Sequence, residues 1–126
     1  MKINLEIGLQ MQKDYIVNQE DSAINHHSGE VEVLATPRLL AMMEETSYLS
    51  VKPFMPEGYV TVGMDMHVFH IKASKPGSHI TIKSVLTKQE DRKIYFDVLA
   101  YEGQMKIGQA ECVRFIVNKE RFLSKL

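Results

Sequence analysis

The chain has 126 residues, 44% of them apolar and 25% charged, with a formal net charge of −1. That length suits one domain, residues 1–126, with a core that needs no staples, and the near-neutral balance excludes whole-surface attraction to nucleic acid or to an anionic membrane. Cys112, the single cysteine, has no internal disulfide partner; no run approaches the roughly 18 apolar residues of a membrane span, and Met1 to Glu6 alternates apolar and polar instead of forming a signal core, so the expected location is the cytoplasm.

Leu9, Met11, Tyr15 and Val17 recur at period two and predict a strand over Leu9 to Val17, crossed on that face by Lys13. Asn18 to Gly29, with His26 and His27, is polar and reads as loop, and Val31 and Val33 suggest a short extended piece. Thr36-Pro37 marks a helix start, the threonine hydroxyl able to accept from free N–H groups and the proline pre-set for the first turn. Leu39, Met42, Met43, Thr46 and Ser50 keep helical spacing to about Val51, and Pro53, Pro56 and Gly58 then stop the helix.

Four strands follow. The first is Tyr59 to Ile71. A Lys75-Pro76-Gly77-Ser78 turn leads to the second, marked by Ile80, Ile82 and Leu86. Glu90-Asp91-Arg92 leads to Ile94, Phe96, Val98 and Ala100, and Glu102-Gly103 leads to Met105 to Val117, with a bend at Gly108. Asn118 is placed to cap a short terminal helix. Short turns predict antiparallel neighbours, so the class is α+β, one helix lying across a curled antiparallel sheet. Tyr95, Leu99 and Tyr101 make a second apolar face that exceeds what a solvated layer needs, which points to a partner subunit. A hot-dog fold and a cystatin-like fold both fit this order.

No Gly-rich phosphate loop, nucleophile elbow or Cys-x-x-Cys pair is present. His67 and His70 stand three apart on a strand and point to opposite faces, so no metal site is expected. Within the helix, Glu45 falls opposite the Met42, Met43 and Thr46 stripe, whereas Glu44 falls at its margin beside Leu40 and Ser47, where a half-covered carboxylate suits a general base. Counting by two, His70 shares a face with Val62, Met64, Met66 and Val68. Taken singly, Thr36 reads as a cap, Glu44 as a glutamate reaching to water, and His70 as an edge histidine.

Together they form a pattern. Ala35-Thr36-Pro37, Leu40-Ala41-Met42-Met43-Glu44, Val62-Gly63, His70 and Pro76-Gly77 resemble, in order and spacing, the hot-dog thioesterases related to fluoroacetyl-CoA thioesterase. The resemblance runs from about Met11 to Phe122 and rests on the threonine, glutamate, glycine and histidine together. It implies a hot-dog fold, a catalytic Thr36, Glu44 and His70, and an active-site Gly63. It also implies an acyl-CoA substrate, and a homodimer, possibly paired into a tetramer, with two sheets joined edge to edge and the active site between subunits. A thioester carbonyl is electrophilic and its thiolate leaves readily, so no metal or cofactor is expected. Glu44 would act on water as a base or attack directly. His70 would meet the oxyanion or the leaving thiolate, Thr36 would orient water or Glu44 while still capping, and the Gly63 backbone would hold the oxyanion.

One stretch departs from the pattern. Asn25-His26-His27-Ser28-Gly29-Glu30 is polar and small, without the aromatics of a tight apolar lid, and points to a more ordinary short or medium acyl-CoA. Lys52, Lys72, Lys75 and Arg114 are the candidates for the coenzyme A phosphates. The competing expectations are a non-catalytic acyl-CoA-binding hot-dog module and a cystatin-like interaction protein. A hot-dog dehydratase is disfavoured because no Asp-x-x-x-x-His stands in the helix region.

Overall fold

A computed structural model describes residues 2–126. The elements are β1 (Gln10–Ile16), α1 (Thr36–Val51), β2 (Tyr59–His70), β3 (His79–Glu90), β4 (Lys93–Glu102), β5 (Met105–Asn118) and α2 (Lys119–Ser124). Short 3₁₀ turns cover Gln19–Asp21 and Lys52–Phe54. The strands form one sheet in the order β1-β3-β4-β5-β2, every pair antiparallel.

Helix α1 spans the expected residues, but its start differs. Ala35 is the capping residue and offers no side-chain bond, while Thr36 is already helical and Pro37 sits in the first turn. The Leu39 N–H reaches the Ala35 carbonyl at 2.9 Å. Thr36 is therefore not a cap, and its hydroxyl is left for another partner. The helix buries Leu39, Met42, Met43 and Val51 against Ile80, Ile82, Leu86, Ile94, Phe96, Val98 and Ile107 of the sheet. Burying each such side chain contributes about 1.5–3 kcal/mol over leaving it in water. The hydroxyls on this face are satisfied: Thr46 donates to the Met42 carbonyl at 2.8 Å, and Ser47 meets Ser84 Oγ at 2.9 Å.

The inner and outer faces alternate along β3 and β4 as period two requires, with Ile80, Ile82, Ser84 and Leu86 and then Ile94, Phe96, Val98 and Ala100 turned inward. Tyr95, Leu99 and Tyr101 line the outer face, where Lys83 lies over Tyr101 and Lys88 and Lys93 lie over Tyr95. Gly108 does sit at a distortion, because the β4–β5 register shifts between Ala100 and Tyr101. A side chain at Gly108 would press on Leu39, Met43 and the Phe69 carbonyl, so glycine lets the helix seat closely there. Asn118 caps α2, its Oδ1 accepting from the Arg121 N–H at 3.0 Å.

Three expectations need correction. First, β2 and β3 are not neighbours: β2 pairs with β5 at one edge, while β3 lies between β1 and β4. Residues 71–78 are too long for a tight hairpin and cross from one side of the sheet to the other, past the start of α1. Their end is the expected turn, Ser78 donating to the Lys75 carbonyl at 3.1 Å with Gly77 at φ +94°. Second, Val31 and Val33 form no strand. The backbone there bends, Val31 is exposed, and the Leu34 N–H donates to Ser74 in the crossing link at 2.7 Å. Third, β2 contains a bulge. Its register against β5 shifts between Gly63 and Asp65, leaving Met64 as the extra residue, 55% exposed. The pleat resets there, so the inward residues are Thr61 and Gly63 before the bulge and Met66, Val68 and His70 after it. Val62 and Met64 do not share the face of His70.

Candidate active site

The polar residues singled out by sequence fall in two clusters. At the start of α1, Thr36 Oγ1 and His70 Nδ1 lie 2.8 Å apart, joining the first helical residue to the last residue of β2. The other ring nitrogen, Nε2, is buried and among the described residues has no hydrogen-bond partner. Burial lowers the imidazole pKa below its ordinary value, the Lys72 backbone opposing it, so the ring is neutral near pH 7. Thr36 and His70 line a cleft of about 250 Å³ together with Ala23, Ser28, Leu34 and Lys72. The Asn25–Glu30 loop is thus beside the site, contributing Ser28 in place of an aromatic lid.

Two turns along α1, about 12 Å at 1.5 Å per residue, Glu44 forms the second cluster. Its Oε2 accepts from Arg114 Nη1 at 3.2 Å. Arg114 is itself fixed, Nε donating to Thr61 Oγ1 and Nη2 to the Thr61 carbonyl, each at 3.0 Å, with the guanidinium over the Tyr48 ring. Gly63 is the floor under the carboxylate: a Cβ there would overlap Glu44 Oε2. Among the described residues no hydrogen bond links Glu44 to His70 within the chain. Gly63 and His70 both lie on β2, one of the two edge strands of the sheet.

Sequence reasoning misplaced Arg114. It is not a surface cation for phosphate, since its side chain is 7% exposed and committed to Glu44 and Thr61. The signal that would have found it is strand parity, because an arginine between Cys112 and Ile116 on the buried side of β5 needs an internal carboxylate. Glu45 does turn away from the core, accepting from the Tyr15 hydroxyl at 2.6 Å. His26, His27, His67 and His79 are exposed, and among the described residues no three His, Cys, Asp or Glu side chains gather to hold a metal ion. Cys112 is buried, which pushes its thiol up to about 11, far from a reactive thiolate. Among the described residues no helix is long and apolar enough to cross a membrane.

A single helix laid across a five-stranded antiparallel sheet has close counterparts. The solved structure of the fluoroacetyl-CoA thioesterase FlK superposes with a TM-score of 0.91 at 23% identity, covering 97% of this chain and 95% of that one. A hot-dog-like protein from Thermanaerovibrio acidaminovorans superposes at 0.89 with 17% identity, covering 96% and 90%. The fold is the hot-dog fold, not the cystatin-like alternative. By sequence the chain is 26% identical over 133 residues to the fluoroacetyl-CoA thioesterase of Streptantibioticus cattleyicolor, spanning 100% of this chain and 95% of that one. The family model for the fluoroacetyl-CoA-specific thioesterases matches residues 17–120. The chain belongs to that family and is an acyl-CoA thioesterase, a thioester hydrolase.

Proposed function

We propose that the protein hydrolyses a short or medium acyl-CoA, that Thr36, Glu44 and His70 carry the reaction with Gly63 in support, and that a homodimer assembles the complete site. The observation that carries this reading is the separation of the two clusters along α1 together with their common attachment to the free β2 edge. Pairing two β2 edges about a two-fold axis that falls between Met66 and His67 would bring the Glu44 and Gly63 of one protomer toward the Thr36 and His70 of its partner. An unpaired edge also asks to be covered, and Met64, Phe69 and Ile71 along it are exposed apolar residues.

In this arrangement the neutral His70, accepting from the Thr36 hydroxyl at Nδ1, presents Nε2–H to the thioester oxygen and meets the charge that develops there. Glu44 either takes a proton from water, whose oxygen adds to the carbonyl carbon, or adds to that carbon itself. The carbon–sulfur bond then breaks, the thiolate of coenzyme A leaves, and in the second route water opens the glutamyl anhydride to release the acid. Arg114 and Gly63 set where the carboxylate points. The small, polar loop around Ser28 leaves the cleft open beside Thr36, which favours ordinary acyl groups over a fluorinated one.

Subunit complementation tests the composite site. Glu44→Ala and His70→Ala are each expected to be inactive alone. When the two are unfolded and refolded together, half the dimers are mixed and each holds one intact site, so about one quarter of wild-type activity should return. A refolded mixture as inactive as its parents, with mixed dimers present, rejects the composite site. Absence of thiol release by the wild type from any acyl-CoA in a panel of chain lengths rejects the substrate assignment.

A further inference from the structure

The cleft that holds Thr36 and His70 is electrostatically one-sided. Of the residues lining it, the ionisable ones are His70, which is neutral, and Lys72. Among the described residues of the same chain no acidic side chain lines it. Among the described residues no carboxylate pairs with the Lys72 ammonium: the ion pairs engage Arg38, His67, Lys88 and Arg114. The start of α1 adds to the asymmetry. Its first turn contains no acidic residue and its capping position makes no side-chain bond, and the nearby Asp21 carboxylate is engaged by Arg38, so the positive end of a 16-residue helix lies beside this region. The remaining wall is small or aliphatic: Ala23, Val33, Leu34 and Ala73.

We propose that this cleft takes acyl groups ending in a carboxylate, the short dicarboxylic acyl thioesters, and that Lys72 is the specificity-determining residue that holds the distal carboxylate. The inference rests on the thioesterase reading above and deepens it. The distance argument decides which end of the substrate the lysine serves. Lys72 follows His70 by two positions, so their Cα atoms are no more than about 7 Å apart. With the thioester carbonyl at His70, an anion reached by Lys72 must lie only a few bonds from that carbonyl. The coenzyme A phosphates sit at the far end of the pantetheine arm, on the sulfur side. A carboxylate two or three methylenes beyond the carbonyl is at the right range. The topology explains why a cation stands here at all: the link at 71–78 has to cross the start of α1 to reach β3, and it carries Lys72 over the cleft on the way.

The test compares pairs matched in length and differing in charge, succinyl-CoA against butyryl-CoA and glutaryl-CoA against valeryl-CoA. For Lys72→Met the ratio of kcat/KM, charged over neutral, should fall about two- to fivefold, the range of a partly screened ion pair, and Lys72→Arg should restore it. The same pairs are examined as non-hydrolysable thioethers, with the ratio of Kd read by calorimetry. That second reading separates two failures. If no acyl-CoA is hydrolysed but the Kd ratio still depends on Lys72, the thioesterase reading falls and this one stands. A ratio unchanged in Lys72→Met, by rate and by Kd, overturns the inference. So does an equal loss for charged and neutral members, which would assign the ammonium to the coenzyme A moiety.

Discussion

Thr36 and His70 share a 2.8 Å hydrogen bond across 34 residues of sequence. The bond exists because Ala35, and not Thr36, takes the capping position. A hydroxyl spent on the helix backbone would leave the imidazole free to turn. Thr36→Val should therefore leave the fold intact and lower kcat by about 10²-fold, within the range of acid–base catalysis, while Thr36→Ser should recover most of the loss. Steady-state kinetics on the best acyl-CoA, with circular dichroism as the folding check, measures this.

Glu44→Gln keeps the shape of the side chain and an oxygen for Arg114, and removes only the negative charge. A drop in kcat of about 10²- to 10⁴-fold is expected, with a loss of about 1–3 kcal/mol in stability because the buried Arg114 guanidinium loses its counter-charge. Single turnover in ¹⁸O-labelled water tests direct attack: label found at Glu44 requires an anhydride opened at the glutamyl carbon.

Arg114→Met should cost both stability and rate. Removing one partner of a fully buried ion pair costs about 3–5 kcal/mol. The Glu44 side chain is 37% exposed and can rehydrate, so a loss of about 1–3 kcal/mol is expected, part of it from the stranded Thr61 carbonyl. Urea unfolding gives the first quantity. A fall in kcat larger than the change in KM would show that the carboxylate is present but wrongly aimed.

Gly63→Ala separates folding from aim in another way. The new methyl would overlap only the far end of a flexible side chain, so Glu44 swings aside and the chain still folds. The melting temperature should move little, whereas kcat should fall at least tenfold. A fully active Gly63→Ala variant would mean that Glu44 works from another position.

The pH dependence follows from the buried imidazole. The pKa of His70 is lowered in the folded protein, so below the ordinary histidine value the unfolded chain binds more protons than the folded one. Stability should fall as the pH drops through that value and should not depend on this group above it. Between about pH 7 and pH 5 the wild type is expected to lose more stability than His70→Gln. The acid limb of kcat/KM attributable to the ring should lie below the ordinary histidine range. Denaturant midpoints and rate profiles across that interval check the two statements.

Much of this was legible in the residues themselves. Helix α1 follows from the Leu39, Met42, Met43 and Thr46 stripe and its proline boundaries, because a single helix crossing a sheet leaves a clean period. The strand faces of β3 and β4 follow from alternation. The path of the chain between β2 and β3 did not, since a Pro-Gly turn reports a local reversal and says nothing of which strands flank it. The pairing of Glu44 with Arg114 was equally hidden: the two are 70 residues apart and meet only once β5 has taken its register. The ordered threonine, glutamate, glycine and histidine could be seen as a set, but their division into two clusters is a property of three-dimensional spacing.

The extra residue at Met64 has a consequence for how this architecture tolerates insertion and deletion. Slipping a strand by one position normally inverts every side chain along it. Here the inversion stops at the bulge, so the half of β2 that carries His70 and the half that carries Gly63 are indexed independently. Deleting Met64 would join Gly63, opposite Arg114, directly to Asp65, opposite Val113, so a regular ladder would replace the bulge and both Gly63 and His70 would keep their faces.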